Sequence, residues 1–420
     1  MVYSKLKSPT YLLRAWLPAL LLCIASVPLC TAQDVSGITF PRDHSATVAY
    51  LIKDLATGEV TASRNPDKAM MPASTMKCVT TAAAMLAGVD KERIPTDVVL
   101  HGTITDSILH GDLVIYGAGD PTTDSSQFPE APGLVSEIAY AVKKAGIRTI
   151  EGLIVVDDSR FPDNGPCDRW EVTDLRQPYG CGLYSVNYRD NTHGSRSMSD
   201  PEESFGEALE NRLNNLGITV DWNDFDTSEL PSSLLLTHNS PQCDKIMSNL
   251  MKRSDNLFAE AILRRLAPGR GRDIAIAREK QLLEQAGIAL DIADIYDGSG
   301  LSRTNRLSAS TLTNVLSAMA KSPNAEKYTS FFPVVGREGT VKQLLNDTPL
   351  EGELVLKSGS VKGVHCYAGY KLDDNGKPTH TVVIFVNDFF CKRDQVRSAI
   401  ADFLLNQFDP KTPDNNESDN

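Results

Sequence analysis

Hydrophobic and polar positions along the chain change period several times, and each change marks an element. Residues 44–52 (HSATVAYLI) alternate as a half-buried strand does, and Asp54-Leu55-Ala56-Thr57-Gly58 is a turn into a second strand. An Ala- and Met-rich stretch over 74–86 predicts a helix, with Pro72 just ahead, Ser74 in its first turn and Gly88 at its end. From 97 to 236 the pattern differs: a strand at 111–117, a helix-period segment at 133–145 and a strand within 147–158 make a β-α-β unit. A polar loop over 159–182, a helix at 203–216 and a strand at 218–222 follow. Residues 240–265 form two helical patterns broken at Ser254-Asp255, and Ser308 opens a further helix to residue 320. Strands at 354–357 and 364–371 precede a turn over 373–378, which leads into a strand at 380–387; a last helix spans 396–408. The polar tail 409–420 is expected to be disordered.

This order predicts a mixed α/β (α+β) chain in which 33–96 and 237–408 form one discontinuous domain and 97–236 is an insertion. The 420 residues, 41% of them hydrophobic, suffice for two cores. Residues 1–32 read as a secretory signal: Lys5, Lys7 and Arg14 lead, 16–29 are apolar, and Cys30-Thr31-Ala32 offers small residues for cleavage. Pro18 and Pro28 break the apolar stretch, which is short for a membrane span. The expected location is therefore the periplasm, free or loosely associated with membrane or wall.

Charge narrows the partners. The net charge of −12 becomes −15 without the leader, which carries three bases and no acid. Such a surface argues against nucleic acid and anionic lipid as partners. Six cysteines remain after cleavage (Cys78, Cys167, Cys181, Cys243, Cys366, Cys391), and an oxidising compartment permits disulfides. Cys167 and Cys181, flanking a Pro/Gly-rich loop, are the preferred pair. A turn centred near Asn375 puts Cys366 opposite about Phe385, which disfavours Cys366–Cys391. No C-x-x-C spacing occurs, so neither a metal site nor a cofactor is expected.

Three short motifs carry the candidate chemistry: Ser74-Thr75-Met76-Lys77, Ser254-Asp255-Asn256 and Lys357-Ser358-Gly359. Each alone is weak, since S-x-x-K recurs at Ser4/Lys7 and S-D-N at 418–420. In order and in context they are informative. Ser74 and Lys77 share a helix face at i, i+3, and a serine hydroxyl needs a base within hydrogen-bond reach. Desolvation and nearby positive charge would lower the pKa of Lys77 enough for it to serve. The Ser74 N–H would meet the oxyanion. Ser254 would relay a proton between Lys77 and the leaving nitrogen, and Asn256 would hold the substrate amide; Asp255 points toward structure. Gly359 would leave a strand edge open for a peptide laid along it. Ser360 would supply the second oxyanion N–H, with Lys357 and Ser358 attracting a terminal carboxylate.

These elements match the S-x-x-K, S-D-N and K-T-G set of penicillin-recognising acyl-serine enzymes. Over about 38–406 the chain resembles the class C low-molecular-mass penicillin-binding proteins, the D-alanyl-D-alanine carboxypeptidase/endopeptidase family. The resemblance rests on Pro72-Ala73-Ser74-Thr75-Met76-Lys77, Gly111-Asp112-Leu113-Val114 with Gly119-Asp120-Pro121, and Ser254 through Glu260 (SDNLFAE). It extends through Asp297-Gly298-Ser299-Gly300-Leu301-Ser302, Lys357 to Ser360 (KSGS), Gly363-Val364 and Ala368-Gly369-Tyr370. It implies a β-lactamase/transpeptidase-like domain with an antiparallel sheet flanked by helices and a smaller α/β insertion. It further implies cleavage of peptidoglycan stem peptides through an acyl-enzyme on Ser74, with β-lactams as covalent inhibitors. In Trp170-Glu171-Val172-Thr173-Asp174 it points to Asp174 as the aspartate that meets the amino end of the peptide side chain. The sequence departs from the family at Ser358, where threonine is usual, and at Val172, where a second tryptophan is usual; the insertion is also short. Two rivals stand beside this reading. One is a β-lactamase, whose class A deacylation element is echoed by Glu210-Asn211-Arg212-Leu213-Asn214, but ahead of Ser254. The other is a catalytically idle wall-binding protein.

Overall fold

Two sheets organise the computed structural model, which describes residues 37–38, 45–224, 226 and 229–409. The expected leader, and all but the first residue of the expected tail, lie outside the described residues. The longer elements begin with β1 (Thr47–Asp54), β2 (Val60–Arg64), α1 (Met76–Leu86), β3 (Pro95–Thr105) and β4 (Ile108–Gly117). Next come α2 (Leu134–Lys144), β5 (Thr149–Ile150), β6 (Ile154–Val156), α3 (Pro201–Asn215), β7 (Thr219–Val220) and β8 (Ser232–Asn239). The chain continues through α4 (Cys243–Arg253), α5 (Asn256–Arg264), α6 (Arg272–Gln285) and α7 (Ala309–Ala320). It closes with β9 (Leu354–Val361), β10 (Val364–Leu372), β11 (Pro378–Asn387) and α8 (Arg393–Phe408).

The first sheet has the order β9-β10-β11-β1-β2 with every neighbour antiparallel. Side chains alternate across a strand, so each strand feeds two cores. Ala49, Leu51, Val383 and Phe385 pack into the helical cluster with Val79, Phe258 and Leu312. Val48, Tyr50, Ile52, Val382 and Ile384 pack instead with Val396, Ile400, Phe403 and Leu404 of α8. The alternation continues to the edge strand: Val355 and Cys366 belong to the helical cluster, Leu354, Leu356 and Tyr367 to the α8 cluster. By the same period Lys357 falls on the α1 side, while Ser358, Ser360 and His365 fall on the α8 side. Helix α1 is buried at every position from Met76 to Met85, the mark of a central helix rather than an amphipathic surface one.

The second sheet runs β8-β3-β4-β5-β7, with β6 also against β4. Pairs β8–β3 and β3–β4 are antiparallel; β4–β5, β4–β6 and β5–β7 are parallel. Helices α2 and α3 cover it through Leu134, Ile138, Val142, Phe205, Leu209 and Leu213, against Val98, Leu113 and Ile115. The expected β-α-β unit is present, but its last strand is split in two. Between the halves the N–H of Gly152 turns to the carbonyl of Gly111 at 3.1 Å.

Three of these longer elements were not anticipated: β3, β8 and α6. Strand β8 is mostly exposed at the sheet edge, so its residues carry no inward alternation to read. In α6 the charged Arg272 and Glu279 are buried beside Ala275, Leu282 and Leu283, which blurs the apolar stripe. The cysteines also need correction. Cys167 and Cys181 are both free thiols: Cys167 packs with Trp170 and Leu301, whereas Cys181 belongs to the large helical core. Their sulfurs face different carbonyls, Tyr296 O and Asp190 O, each at 3.6 Å. The β10–β11 register does set Cys366 opposite Phe385, as the turn implied.

Candidate active site

Ser74 does not open α1. It sits in a 3₁₀ turn, Ala73–Thr75, that precedes the helix. Thr75 ties the turn by donating from its hydroxyl to the Pro72 carbonyl at 2.6 Å. Ala73 is left-handed (φ 45°), a conformation that costs about 1–3 kcal/mol in a non-glycine residue and persists only when neighbours enforce it. Two glycines do so. A Cβ on Gly300 would lie 1.9 Å from the Ala73 carbonyl oxygen, and one on Gly359 would lie 2.8 Å from both the Pro72 carbonyl oxygen and the Ser74 nitrogen. The role expected for Gly359, clearing a path for ligand, is thus joined by another: its missing side chain lets β9 close onto the Ser74 turn.

Lys77 is wholly buried and its Nζ reaches three acceptors: Ser74 Oγ at 2.9 Å, Asn256 Oδ1 at 2.7 Å and the Ser299 carbonyl at 2.7 Å. The last two can only accept. Asn256 Oδ1 is identified because Asn256 Nδ2 donates to the Tyr179 carbonyl at 2.7 Å. A neutral amine has two N–H bonds, which those two acceptors take, and its lone pair is left facing the Ser74 hydroxyl. Burial lowers the Lys77 pKa to about 8, overcoming the opposing pull of Asp297, Asp255 and Glu260.

The wall behind Lys77 is acidic, and its carboxylates hold the 297–302 loop. Glu260 Oε1 accepts the N–H groups of Gly298 and Ser299 at 3.0 and 2.9 Å, which aims the Ser299 carbonyl. Asp297 accepts from the N–H groups of Gly300 and Ser302, from Asn305 Nδ2 and from Trp170 Nε1, the last at 2.8 Å. Asp255 caps α5 by accepting from the Phe258 N–H and also accepts from Gln127 Nε2 at 2.7 Å, so it faces structure.

Ser254 ends α4 in a left-handed conformation (φ 65°). Its hydroxyl accepts from Lys357 Nζ at 2.9 Å, and Lys357 also donates to the Ser358 carbonyl at 2.6 Å. The immediate partner of Ser254 is therefore Lys357, where the sequence suggested Lys77. Lys357 lies on the edge strand but not in solvent. It is completely buried, and burial followed by the charge of Lys77 holds it well below the usual lysine range. Ser358 Oγ donates to Thr340 Oγ1 at 2.7 Å. Ser360 is exposed, with Oγ hydrogen-bonded to His365 Nδ1 at 2.6 Å.

The structure brings Ser74, Lys77, Ser254, Asn256, Lys357, Ser358, Gly359 and Ser360 to one place. A cleft of about 530 Å³ exposes Ser74, Ser254, Ser358 and Ser360 in its wall. Asp174 is not part of that wall. It is buried, accepts from the Tyr179 hydroxyl at 3.0 Å and lies 4.0 Å from Arg303 Nη2, and it meets the site through Tyr179, whose carbonyl holds Asn256. Glu260, Ser299, Thr340 and Tyr179 were missed as site residues. Glu260 had a signal, lying at i+4 from Asn256 on one helix face; a main-chain carbonyl such as that of Ser299 has none. Glu210 lies on α3 and accepts from Trp222 Nε1 at 2.9 Å.

The model of the D-Ala-D-Ala carboxypeptidase 3 (S13) family matches residues 33–194 and 185–407. The chain is 24% identical to the D-alanyl-D-alanine carboxypeptidase DacB of Haemophilus influenzae, covering 87% of this chain and 90% of that one. It is 23% identical to a D-alanyl-D-alanine carboxypeptidase of Actinomadura sp., covering 84% and 80% respectively. The crystal structure of penicillin binding protein 4 (dacB) from Haemophilus influenzae superposes with a TM-score of 0.77 at 22% identity, over 86% of this chain and 96% of that one.

Proposed function

The chain belongs to the D-Ala-D-Ala carboxypeptidase 3 (S13) family and is a serine-type D-Ala-D-Ala carboxypeptidase, and on that premise we propose that hydrolysis runs through an acyl-enzyme on Ser74. The observation that supports this most directly is the amine of Lys77, dry, 2.9 Å from Ser74 Oγ and otherwise bound to obligate acceptors. Neutral Lys77 takes the Ser74 proton as Oγ attacks the carbonyl of the penultimate D-alanine of a peptidoglycan stem peptide. The N–H groups of Ser74 and Ser360 hold the oxyanion. The proton then goes to the departing nitrogen as the C–N bond breaks. Ser254 accepts from Lys357 and so keeps its own O–H for that nitrogen, as the relay. Asn256 holds the substrate amide; Lys357 and Ser358 hold the terminal carboxylate at the edge that Gly359 leaves open. Asp174 receives the amino end of the peptide side chain. Water releases the shortened peptide.

Cross-links share the same D-amino-acid bond, so D,D-endopeptidase action belongs to this proposal, as does covalent inhibition by β-lactams at Ser74. The two sheets support 97–236 as an insertion into a catalytic domain of 33–96 and 237–408. The basic, apolar and small-residue leader supports export to the periplasm; no helix among the described residues is long and apolar enough to cross a membrane. Mass spectrometry after penicillin treatment tests the core of the proposal: the adduct maps to Ser74, is absent from Ser74→Ala, and hydrolyses slowly. An adduct elsewhere refutes the nucleophile, and rapid turnover of penicillin would make the protein a β-lactamase.

A further inference from the structure

The cleft that exposes Ser74 extends along the α8 side of the first sheet. Beyond Ser358 and Ser360 its wall includes His365 and Tyr367, their register partners on β10, Arg393 and Arg397 on α8, and Lys342. Its volume of about 530 Å³ lies within the roughly 300–1,000 Å³ that drug-sized ligands fill, well above the size of one departing D-alanine. Its charge is the more telling feature. The wall contains three basic side chains and no carboxylate, in a chain with 54 acidic against 42 basic residues.

These cations are available to a ligand. Arg393 is exposed and makes no ion pair among the described residues. Among the described residues Arg397 pairs at 3.1 Å only with Asp394, a neighbour three residues back whose side chain is 78% exposed, the kind of pair that solvent weakens and a ligand can replace. Below them Ser360 Oγ, His365 and the Tyr367 hydroxyl form a hydrogen-bonded chain at 2.6 and 2.9 Å, continuous with the edge where the oxyanion and terminal carboxylate are proposed to sit. Burial and the two arginines push His365 down to about 4, so this chain is neutral and the charge of the cleft end comes from Arg393, Arg397 and Lys342.

We propose that this end of the cleft is a leaving-group subsite for an additional carboxylate, which selects cross-linked peptides whose departing segment is acidic. The proposal rests on the acyl-enzyme reading. Its chemistry is unchanged: the Ser74 Oγ–C bond forms, the C–N bond of the cross-link breaks, and the proton passes to the departing amine. The departing amine now belongs to a diamino acid of a neighbouring stem and carries acidic groups beyond the one at the scissile residue. Lys342, Arg393 and Arg397 hold them and so favour endopeptidase turnover.

The test uses the full chain and two synthetic cross-linked peptide dimers, identical except that in one the distal carboxylates of the departing segment are primary amides. The expected result is a kcat/KM roughly tenfold higher for the free acid, carried mostly in KM, as for loss of one charge-assisted contact. The preference shrinks as salt is raised and falls to near unity in the Arg393→Gln/Arg397→Gln double variant. A wild-type enzyme that treats both dimers alike overturns the subsite, and so does a double variant that retains the preference. Penicillin labelling of Ser74 in the same wild-type preparation separates the two readings. Labelling without carboxylate preference sinks the subsite alone, whereas absence of labelling sinks the acyl-enzyme beneath it.

Discussion

The two ends of the cleft are built from opposite charge and opposite solvent. At the inner end Lys77 is wholly buried near Asp297, Asp255 and Glu260, and Lys357 is wholly buried against Ser254 and the Ser358 carbonyl; burial holds both lysines below their ordinary range. At the outer end Arg393, Arg397 and Lys342 border the same cleft in solvent, with no acid in its wall. Distance from water separates their roles. Lys77 must become a base and needs the desolvation that here outweighs three nearby carboxylates, whereas Arg393 and Arg397 meet a ligand from the solvent side of the cleft.

The strongest way to break this contrast is to keep the charge at the inner end permanent. Lys77→Arg cannot lose its proton, so penicillin acylation should fall by roughly 10²–10⁴-fold, the usual worth of a general base. A stopped-flow or mass-spectrometric rate within tenfold of wild type would remove Lys77 as the base. The wild-type rate should also rise with pH. Below about 8 Lys77 is mainly ammonium, so the rate gains roughly tenfold per unit and levels off above that value. A flat profile from pH 6 to 9 would contradict the burial argument.

Next in size is the turn that carries Ser74. Gly359→Ala places a methyl 2.8 Å from backbone atoms on both sides of Ala73, and displacement of a nucleophile by about 1 Å can cost roughly 10²-fold. Acylation should fall by that order while circular dichroism stays native; an unchanged rate would leave Gly359 only its role in clearing ligand.

A smaller effect probes the dry side alone. Glu279, buried on α6 beside α1, has its pKa raised to about 8 by burial. Between its unfolded value near 4.5 and about 8 the folded state binds the extra proton, so stability falls as pH rises through that window. Glu279→Gln mimics the protonated acid. Its stability relative to wild type should therefore increase from pH 5 to pH 8, by at most about 1.4 kcal/mol per pH unit. Urea midpoints at the two pH values check this, and parallel curves would show that Glu279 does not titrate there. The smallest expected change is salt dependence. It should appear in cross-link cleavage, which uses the open end, and hardly at all in penicillin acylation, which uses the dry one.

Much of this was legible in the residues. The strands at 47–54, 364–372 and 378–387 are apolar runs bounded by turn residues, and the turn between the last two set a register that placed Cys366 opposite Phe385. Three motifs at helix start, inter-helix break and strand named the residues that converge. Strand β8 was hidden by its exposure, α6 by its buried charges, and the pairing of Ser254 with Lys357 by their separation of 103 positions along the chain. Arg393 and Arg397 belong to no motif, and Arg393 lies ahead of the helix read at 396–408 although the structure starts that helix at Arg393.

The sequence by itself determined the local facts. Ser74 and Lys77 are three residues apart around a turn, Lys357 and Ser358 point to opposite faces of a strand, and a break separates two helices at Ser254. These follow from chain geometry with a period of 3.6 or 2. Only the tertiary structure decided that the Lys77 amine meets Asn256 and the Ser299 carbonyl away from water, and that the cationic first turn of α8 ends in the same cleft as Ser74. A pKa and a pocket are sums over atoms from every element packed nearby. Those atoms come from residues 74 through 397, which no local pattern can bring together.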